Sequence, residues 1–315
     1  MSLSTASAGF PPLGQLMLAR TTMDRGCERR SHPGLLDGIW GSDSTYVMLI
    51  ANGKTLVRGG RIALFPSRER AATELSVYLG RAVEGADVPV GTEIVLSVLP
   101  EGAEPEAYDG EWLSLRDVAA ELSAQDAGLF VEALAISNWH LTHTHCPRCG
   151  QRTEIEQGGW VRSCPADGSQ HFPRTDPAII VSVIDEDDRL LLGRNSAWPA
   201  SRYSTLAGFV EPGESLEAAV VREIEEESGV VVHSPTYLGS QPWPFPASLM
   251  IGFTAVATNA VSVPDGVEIL DTRWFSRAEL AAALKADEVQ VASGISIARA
   301  LIEHWYGGEL PQAGQ

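Results

Sequence analysis

Apolar and polar positions change rhythm along the chain. Short apolar runs recur at 46–50, 55–57, 61–65 and 92–99, with the turn pair Asn52-Gly53 between the first two. Runs of this length broken by turn residues predict strands, here a mixed domain carrying an antiparallel sheet. Residues 66–80 mix charges with Leu75, Val77 and Leu79 and leave helix and strand both open. Apolar residues at helical spacing over 128–139 predict a helix that closes this first domain. Later, apolar runs at 178–184 and 190–193 flank an acidic turn at 185–188, and 236–241, 249–257 and 272–275 predict further strands. Between them Leu216–Ser228 reads as a helix. Ser215 is its N-cap, Glu217 lies in the first turn where the helix dipole favours an anion, and Gly229 ends it. Strands around a helix predict an α/β/α sandwich.

Composition narrows the class. The chain has 315 residues, enough for two domains and a sizeable core. Its net charge of −18 argues against non-specific binding to nucleic acid or to anionic membranes. No apolar run reaches the length of a membrane span, and residues 1–8 lack the basic and apolar regions of a secretory signal. They read as a disordered leader of a cytoplasmic protein, with no membrane partner. Three of the four cysteines are clustered, which argues against disulfide stapling, and Cys27 stands alone as a plain thiol. There is no internal repeat and no long low-complexity linker.

The predicted helix 216–228 carries the chemistry. Leu216, Ala219 and Val220 share one face, and Glu223 and Glu227 fall roughly 20° either side of the line through Leu216. The apolar stripe therefore runs on into carboxylates, with Glu226 at its border and Glu217 and Glu225 pointing elsewhere. Like charges at these spacings cost roughly 0.2–0.5 kcal/mol each on an exposed helix and more when desolvated, so a cation should compensate. Oxygen-only ligands suit a hard divalent ion, Mg²⁺ or Mn²⁺. A lone run of three glutamates is most often a solvated face, but Gly208, Glu214, Arg222, Glu223, Ile224, Glu226, Glu227, Gly229 and Val230 fill every fixed position of the Nudix box. The resemblance to Nudix hydrolases implies metal-dependent cleavage of a nucleoside diphosphate linked to another group.

Ahead of the box, Cys146-Pro147-Arg148-Cys149-Gly150 and Cys164-Pro165-Ala166-Asp167-Gly168 flank an insert containing Gly158-Gly159. Paired knuckles of this kind make a zinc ribbon with four ligands around a tetrahedral ion. Asp167 stands where the fourth cysteine belongs; aspartate can ligate zinc, and His143, His145 and His171 lie near. The functional reading is a structural Cys₃Asp or Cys₃His zinc, and the alternative is a degenerate ribbon held by packing alone.

Ten residues after the box comes Ser240-Gln241-Pro242-Trp243-Pro244-Phe245-Pro246-Ala247-Ser248. Alternating prolines stiffen such a segment and present Trp243 and Phe245 as rigid faces for a planar base, with Gln241 and Ser248 as hydrogen-bonding groups. With cysteine knuckles before the box, the segment resembles the signature of the NADH pyrophosphatase (NudC-like) family of Nudix hydrolases. The resemblance covers roughly residues 113–306. It implies a Nudix α/β/α sandwich with a mixed sheet, α/β (α+β) in class, preceded by a zinc ribbon and a mixed N-terminal domain, with boundaries at 1–140, 141–173 and 174–315. It implies hydrolysis of the pyrophosphate bond of NADH or NAD⁺ to nicotinamide mononucleotide and AMP, removal of NAD caps from RNA 5′ ends, and a homodimer whose sites share residues. Carried over by position, Glu223, Glu227 and Glu268 bind the divalent metal, with Glu226 in the same cluster, and Glu226 or Glu268 orients or deprotonates the attacking water. Arg222 is a partner orienting the glutamates. Phe209 and Phe172, the latter replacing a tyrosine of the family, match positions that sandwich a base. Gln241, Ser248, Ala298 and Arg116 match other substrate positions. Two rival classes remain: a Nudix hydrolase of another nucleoside diphosphate such as ADP-ribose, which should lack the proline-aromatic signature, and a non-catalytic dinucleotide sensor, which should have lost box glutamates.

Overall fold

The computed structural model describes residues 12–70, 72–100, 102 and 108–312. The expected leader at 1–8 lies outside the described residues. The chain divides into two compact units, one made of Met17–Thr175 with Pro242–Ala247 and the other of 12–16, Asp176–Gln241 and 248–312.

In the first unit the apolar runs become β1 (Met23–Asp24), β2 (Thr45–Ala51), β3 (Lys54–Arg58), β4 (Arg61–Ile62), β5 (Leu64–Pro66), β6 (Leu75–Ala82), β7 (Glu93–Val98) and β8 (Glu111–Ser114). They form one sheet in the order β1-β6-β7-β2-β3-β4, with β5 paired to β2 and β8 to β3. The expectation of an antiparallel sheet is corrected here: β2 and β7 run parallel, from Thr45 opposite Glu93 to Ile50 opposite Val98. Both strands are buried along nearly their whole length, and continuous rather than alternating burial is what a parallel pair covered on both faces requires. Residues 66–80, open in the sequence, resolve into a single 3₁₀ turn at Ser67–Glu69 followed by β6. Short helices α1 (Cys27–Arg30), α2 (Leu35–Ile39) and α3 (Leu115–Val118) precede the long helix α4 (Ala124–Thr142). That helix starts four residues before the predicted one because Ser123 caps it, accepting the Asp126 N–H at 3.2 Å. The ribbon is a three-stranded antiparallel sheet of β9 (Glu154–Glu156), β10 (Val161–Ser163) and β11 (Gln170–His171).

The second unit contains β12 (Asp176–Ile184), β13 (Leu190–Asn195), β14 (Leu206–Phe209), β15 (Val232–Trp243), β16 (Ser248–Ala257) and β17 (Ile269–Phe275). The sheet order is β15-β16-β12-β13-β17 with β14 on β12; β12 and β16 are parallel, and β13 and β14 run antiparallel to β12. Helix α5 (Leu216–Ser228) covers one face, and α6 (Arg277–Lys285) and α7 (Ile297–Tyr306) cover the other. Period-two alternation sorts the strands between these layers. Ile179, Val181 and Val183 pack with Ala219, Val220 and Ile224 of α5, whereas Ile180 packs with Ile297, Ala298 and Leu301 of α7. On β13, Leu191 joins the α5 side while Leu190 and Leu192 meet Leu280 and Leu284 of α6. Each such aliphatic side chain contributes about 1.5–3 kcal/mol when fully buried, and a one-residue slip would invert the set, so the register is tightly specified. The result is the expected α/β/α sandwich with a mixed sheet. Strand β14 and helices α6 and α7 were not among the predicted elements.

Candidate active site and metal centres

Helix α5 begins where Ser215 accepts the Ala218 N–H at 3.2 Å, and it ends on Gly229 with φ of 66°. Its polar edge is organised by Arg222. The guanidinium gives paired hydrogen bonds to Glu214 (2.8 Å each), meets Glu223 at 2.9 Å and Glu226 at 3.0 Å, and donates to the Phe209 carbonyl at 3.0 Å. Held by that fork and by the Glu211 N–H, Glu214 has its carboxyl lowered to about 2. Arg222 thus ties the turn before the helix to the helix itself. Gly208 shows why the box opens on glycine: a Cβ there would come within 2.0 Å of the Glu223 carboxyl carbon. The missing side chain is the space in which Glu223 lies.

Glu223, Glu227 and Glu268 line one cavity of ≈330 Å³ together with Phe209, Glu211, Ser248 and Met250. Glu227 is 6% exposed and its Oε2 has no hydrogen-bond partner. Burial, then the charges of Glu268, Glu223 and Asp265, push its carboxyl up to about 8. Burial also raises Glu223, against the opposing pull of Arg222. An orphaned buried carboxylate oxygen facing two further carboxylates is a donor set deficient in positive charge. It fits a hard divalent cation, which takes oxygen ligands and leaves room for waters and phosphate oxygens.

The other predicted positions distribute unevenly. Phe209 is 58% exposed at the rim of this cavity, and Ser248 lines it. Glu226 is exposed and is not among the lining residues; its carboxylate meets Arg222. Gln241 is buried and donates to the Ile295 carbonyl at 3.0 Å, and Ala298 is buried in the core under α7. Within the first unit, Arg116 lies over the rings of Trp243 (5.0 Å) and Phe245 (3.8 Å), which themselves meet edge to face at 5.1 Å. The Asn138 amide holds this loop by donating to the Pro244 and Pro246 carbonyls, both at 3.1 Å. Also in the first unit, Phe172 is 62% exposed and lines a separate cavity of ≈510 Å³ with Trp139, His143, His145, His171 and Arg174. Sequence reasoning missed Glu211, although its place three residues before Glu214 in the acidic turn was a usable signal. It also missed Asp265, for which no local pattern spoke.

The ribbon knuckles are alike in backbone. Cys146 donates to the Gln151 carbonyl and accepts from Gly150, and Cys164 donates to Ser169 and accepts from Gly168, with φ of 74° and 71° at the two glycines. The second knuckle therefore keeps its turn although Asp167 replaces the cysteine. Cys146, Cys149, Cys164 and Asp167 place four ligand atoms within 4.8 Å of one another. Tetrahedral zinc holds thiolates at about 2.3 Å, hence roughly 3.8 Å apart, and Cys149 and Cys164 have their sulfurs 3.4 Å apart. Among the described residues no histidine joins this donor set. His171 instead contacts the Ser169 hydroxyl at 3.2 Å. The donors fit a structural zinc.

A sandwich in which a capped helix and a facing loop deliver carboxylates to one cavity defines a Nudix hydrolase. The model of the NUDIX domain matches residues 173–293, that of the NADH pyrophosphatase zinc ribbon domain 141–172, and that of the NADH pyrophosphatase-like rudimentary NUDIX domain 44–139. The chain is 41% identical over 273 residues to the NAD-capped RNA hydrolase NudC of Mycobacterium bovis, an alignment covering 84% of each chain. It is 40% identical to the protein of that name from Mycobacterium tuberculosis, again over 84% of each. It is 42% identical over 197 residues to the human NAD-capped RNA hydrolase NUDT12, covering 59% of this chain and 43% of the human one. The chain belongs to the NADH pyrophosphatase (NudC-like) family of Nudix hydrolases.

Proposed function

We propose that this enzyme hydrolyses the pyrophosphate bond of NADH and NAD⁺ to a nicotinamide mononucleotide and AMP, and removes NAD caps from RNA 5′ ends. The observation that carries the reading is the convergence of Glu223, Glu227 and Glu268 on one cavity with an unpartnered buried oxygen and an exposed aromatic, Phe209, at its rim. The relatives named NAD-capped RNA hydrolases support the substrate class. A capped RNA contains the same bond as the free dinucleotide, and the chain beyond it need only extend into solvent.

In this reading Glu223, Glu227 and Glu268 hold Mg²⁺ or Mn²⁺. When bound, the ion would supply positive charge for the pyrophosphate and acidity for water. Arg222 fixes Glu223 and Glu214 so that the carboxylates stay in register. Glu268, which lines the cavity, is better placed than Glu226 to take the proton from the attacking water. Phe209 offers a ring face to the base and Ser248 presents a hydroxyl; Phe172, Trp243, Phe245 and Arg116, all in the first unit, are carried over from the family as further recognition residues. Gln241 and Ala298 shape the pocket from within the core. Cys146, Cys149, Cys164 and Asp167 hold structural zinc. The enzyme works in the cytoplasm as a homodimer whose sites share residues. The test is a product assay with NADH, NAD⁺, ADP-ribose and NAD-capped RNA side by side, in Mg²⁺ or Mn²⁺. Mononucleotide and AMP from the first two, and decapped 5′-monophosphate RNA from the last, are the expected products; a clear preference for ADP-ribose would sink the assignment.

A further inference from the structure

Two of the carboxylates at the cavity ride on α5, whose geometry is fixed by its own hydrogen bonds. Glu268 does not. It sits in an exposed loop before β17, and electrostatics alone would move it outward, since its charge faces Glu223 and Glu227. Something must hold it against that repulsion.

The Asp265 side chain closes the turn of this loop. The Asp265 carboxylate accepts the backbone N–H groups of Val267 at 3.0 Å, Glu268 at 3.2 Å and Ile269 at 2.8 Å, all through Oδ1, and Glu268 also reaches Oδ2 at 3.2 Å. Gly266, at φ of 73°, permits the reversal and donates to the Ile269 carbonyl at 3.0 Å. The N–H of Asp265 itself donates to the Glu227 carbonyl at 3.3 Å, so the residue that shapes the loop is also bonded to the last turn of α5. On the other side, the Glu268 carbonyl accepts the Ser196 N–H at 2.7 Å and its Oε1 accepts the Asn195 amide at 3.4 Å. Asn195 is placed for this by the irregularity in β13 that sets it opposite Ile269.

We propose that Asp265 is a positioning residue for the divalent-metal centre, folding 265–269 into a fixed turn that keeps the Glu268 carboxylate at the cavity beside Glu227. A carboxylate accepting several N–H groups is a strong, directional clamp, and it acts before any ligand arrives, which is what preorganisation requires. This rests on the reading of Glu268 as a metal ligand.

The experiment titrates Mn²⁺ into metal-free full-length protein and measures NADH turnover for the wild type, Asp265→Ala, Asp265→Asn, Glu268→Gln and the double variants Asp265→Ala/Glu268→Gln and Asp265→Asn/Glu268→Gln. Asp265→Ala should weaken Mn²⁺ binding by about tenfold or more and lower kcat with little change in KM, and amide hydrogen exchange at 267–269 should quicken. Asp265→Asn, which retains an oxygen to accept the same N–H groups, should stay within about threefold of wild type. Asp265→Ala/Glu268→Gln should bind no more weakly than Asp265→Asn/Glu268→Gln, in which the Asp265 charge near Glu227 is equally absent, because the turn acts only through Glu268. Wild-type Mn²⁺ affinity in Asp265→Ala alongside weakened Glu268→Gln would overturn the positioning role and leave the metal reading standing. Weaker binding in Asp265→Ala/Glu268→Gln than in Asp265→Asn/Glu268→Gln would likewise overturn it. Wild-type affinity in Glu268→Gln would remove Glu268 as a ligand and this proposal with it.

Discussion

Helices α4 and α5 each bring buried carboxylates to the sheet of their own unit, yet they neutralise them in opposite ways. On α4, Asp126 accepts from Arg61 Nε at 2.9 Å and from the Ile62 N–H at 3.1 Å, and Glu132 faces Arg25 at 3.4 Å and Arg30 at 4.0 Å. On α5, Arg222 is committed to Glu214, Glu223 and Glu226, and among the described residues no cationic side chain forms an ion pair with Glu227. The first unit supplies these acids with arginines, Arg61 from β4, Arg25 from the segment after β1 and Arg30 from α1. In the second unit Glu227 is left without such a partner, a deficit that on the proposed reading an ion and a pyrophosphate fill. A buried charge without a partner costs several kcal/mol; arginines face both acids of α4, although Asp126 Oδ1 and Glu132 Oε1 lack a hydrogen bond, whereas among the described residues no cation faces Glu227.

The sharpest break of this contrast is Glu227→Gln. With the anionic charge lost from a proposed metal ligand, NADH turnover should fall by about 100-fold or more, while the metal-free protein should be no less stable, because an uncompensated buried acid has been replaced by a neutral amide. Turnover and thermal unfolding measured on the same preparation decide it. Near-normal activity in a folded variant, or loss of the fold, would make Glu227 a structural acid of the α4 kind.

Next in size is the converse change in the first unit. Arg61→Met strips Asp126 of its cation and leaves a carboxylate that is 1% exposed, with Oδ1 already unpartnered. Breaking a buried pair costs about 3–5 kcal/mol, discounted here to about 1–3 because Arg61 is half exposed and the Ile62 N–H remains. Urea unfolding should show that loss with kcat little changed.

A third effect is the pH dependence of metal binding. The Glu227 carboxyl, pushed up to about 8 by burial and by Glu268, Glu223 and Asp265, holds a proton below that pH in the metal-free protein. That proton must leave as the ion enters, so Mn²⁺ affinity should rise with pH by up to about tenfold per unit and level off near pH 8. Calorimetric titration at several pH values checks it, and Glu227→Gln should flatten the slope.

How much of this contrast was readable beforehand depends on how local each cause is. The α5 side was legible: helical spacing put Glu223 and Glu227 on one stripe, and capping residues marked both ends. Glu268 came only from resemblance, since its place depends on a turn shaped by Asp265 and bonded to Glu227 some forty residues earlier. Strand β14 escaped because Ala207-Gly208 carries no strand signal, and Gly208 is there to make room for Glu223. The α4 side was illegible, because its counter-charges lie far off in sequence: Arg61 is sixty-five residues from Asp126, and Arg25 and Arg30 are more remote still from Glu132. For the same reason the parallel pairing of β2 with β7 was missed, periodicity within a strand being silent about its neighbour's direction. Gln241 and Ala298 show a further limit: a match to a family position does not reveal whether the side chain faces a cavity or the core.

The last predicted effect, confined to a stretch of pH, tests whether the arginines facing α4 fully balance their acids. Burial pushes the Glu132 carboxyl up to about 7, with Arg25 and Arg30 only partly opposing it. A carboxyl raised above its unfolded value of about 4.3 binds its proton more tightly in the native state than in the unfolded one. Stability from this group is therefore fully present below about pH 4.3 and is lost as pH rises to about 7, by roughly 1–3 kcal/mol at most. Glu132→Gln imitates the protonated form at every pH. Relative to wild type it should be close in stability near pH 4.5 and gain progressively up to pH 7.5, as read by urea midpoints on zinc-loaded protein at each pH. The wild type gaining on the variant as pH rises would mean that the ionised form is the favoured one inside. The arginines facing α4 would then do more than balance the acid, and the contrast with α5 would be wider than the buried geometry of Glu132 implies.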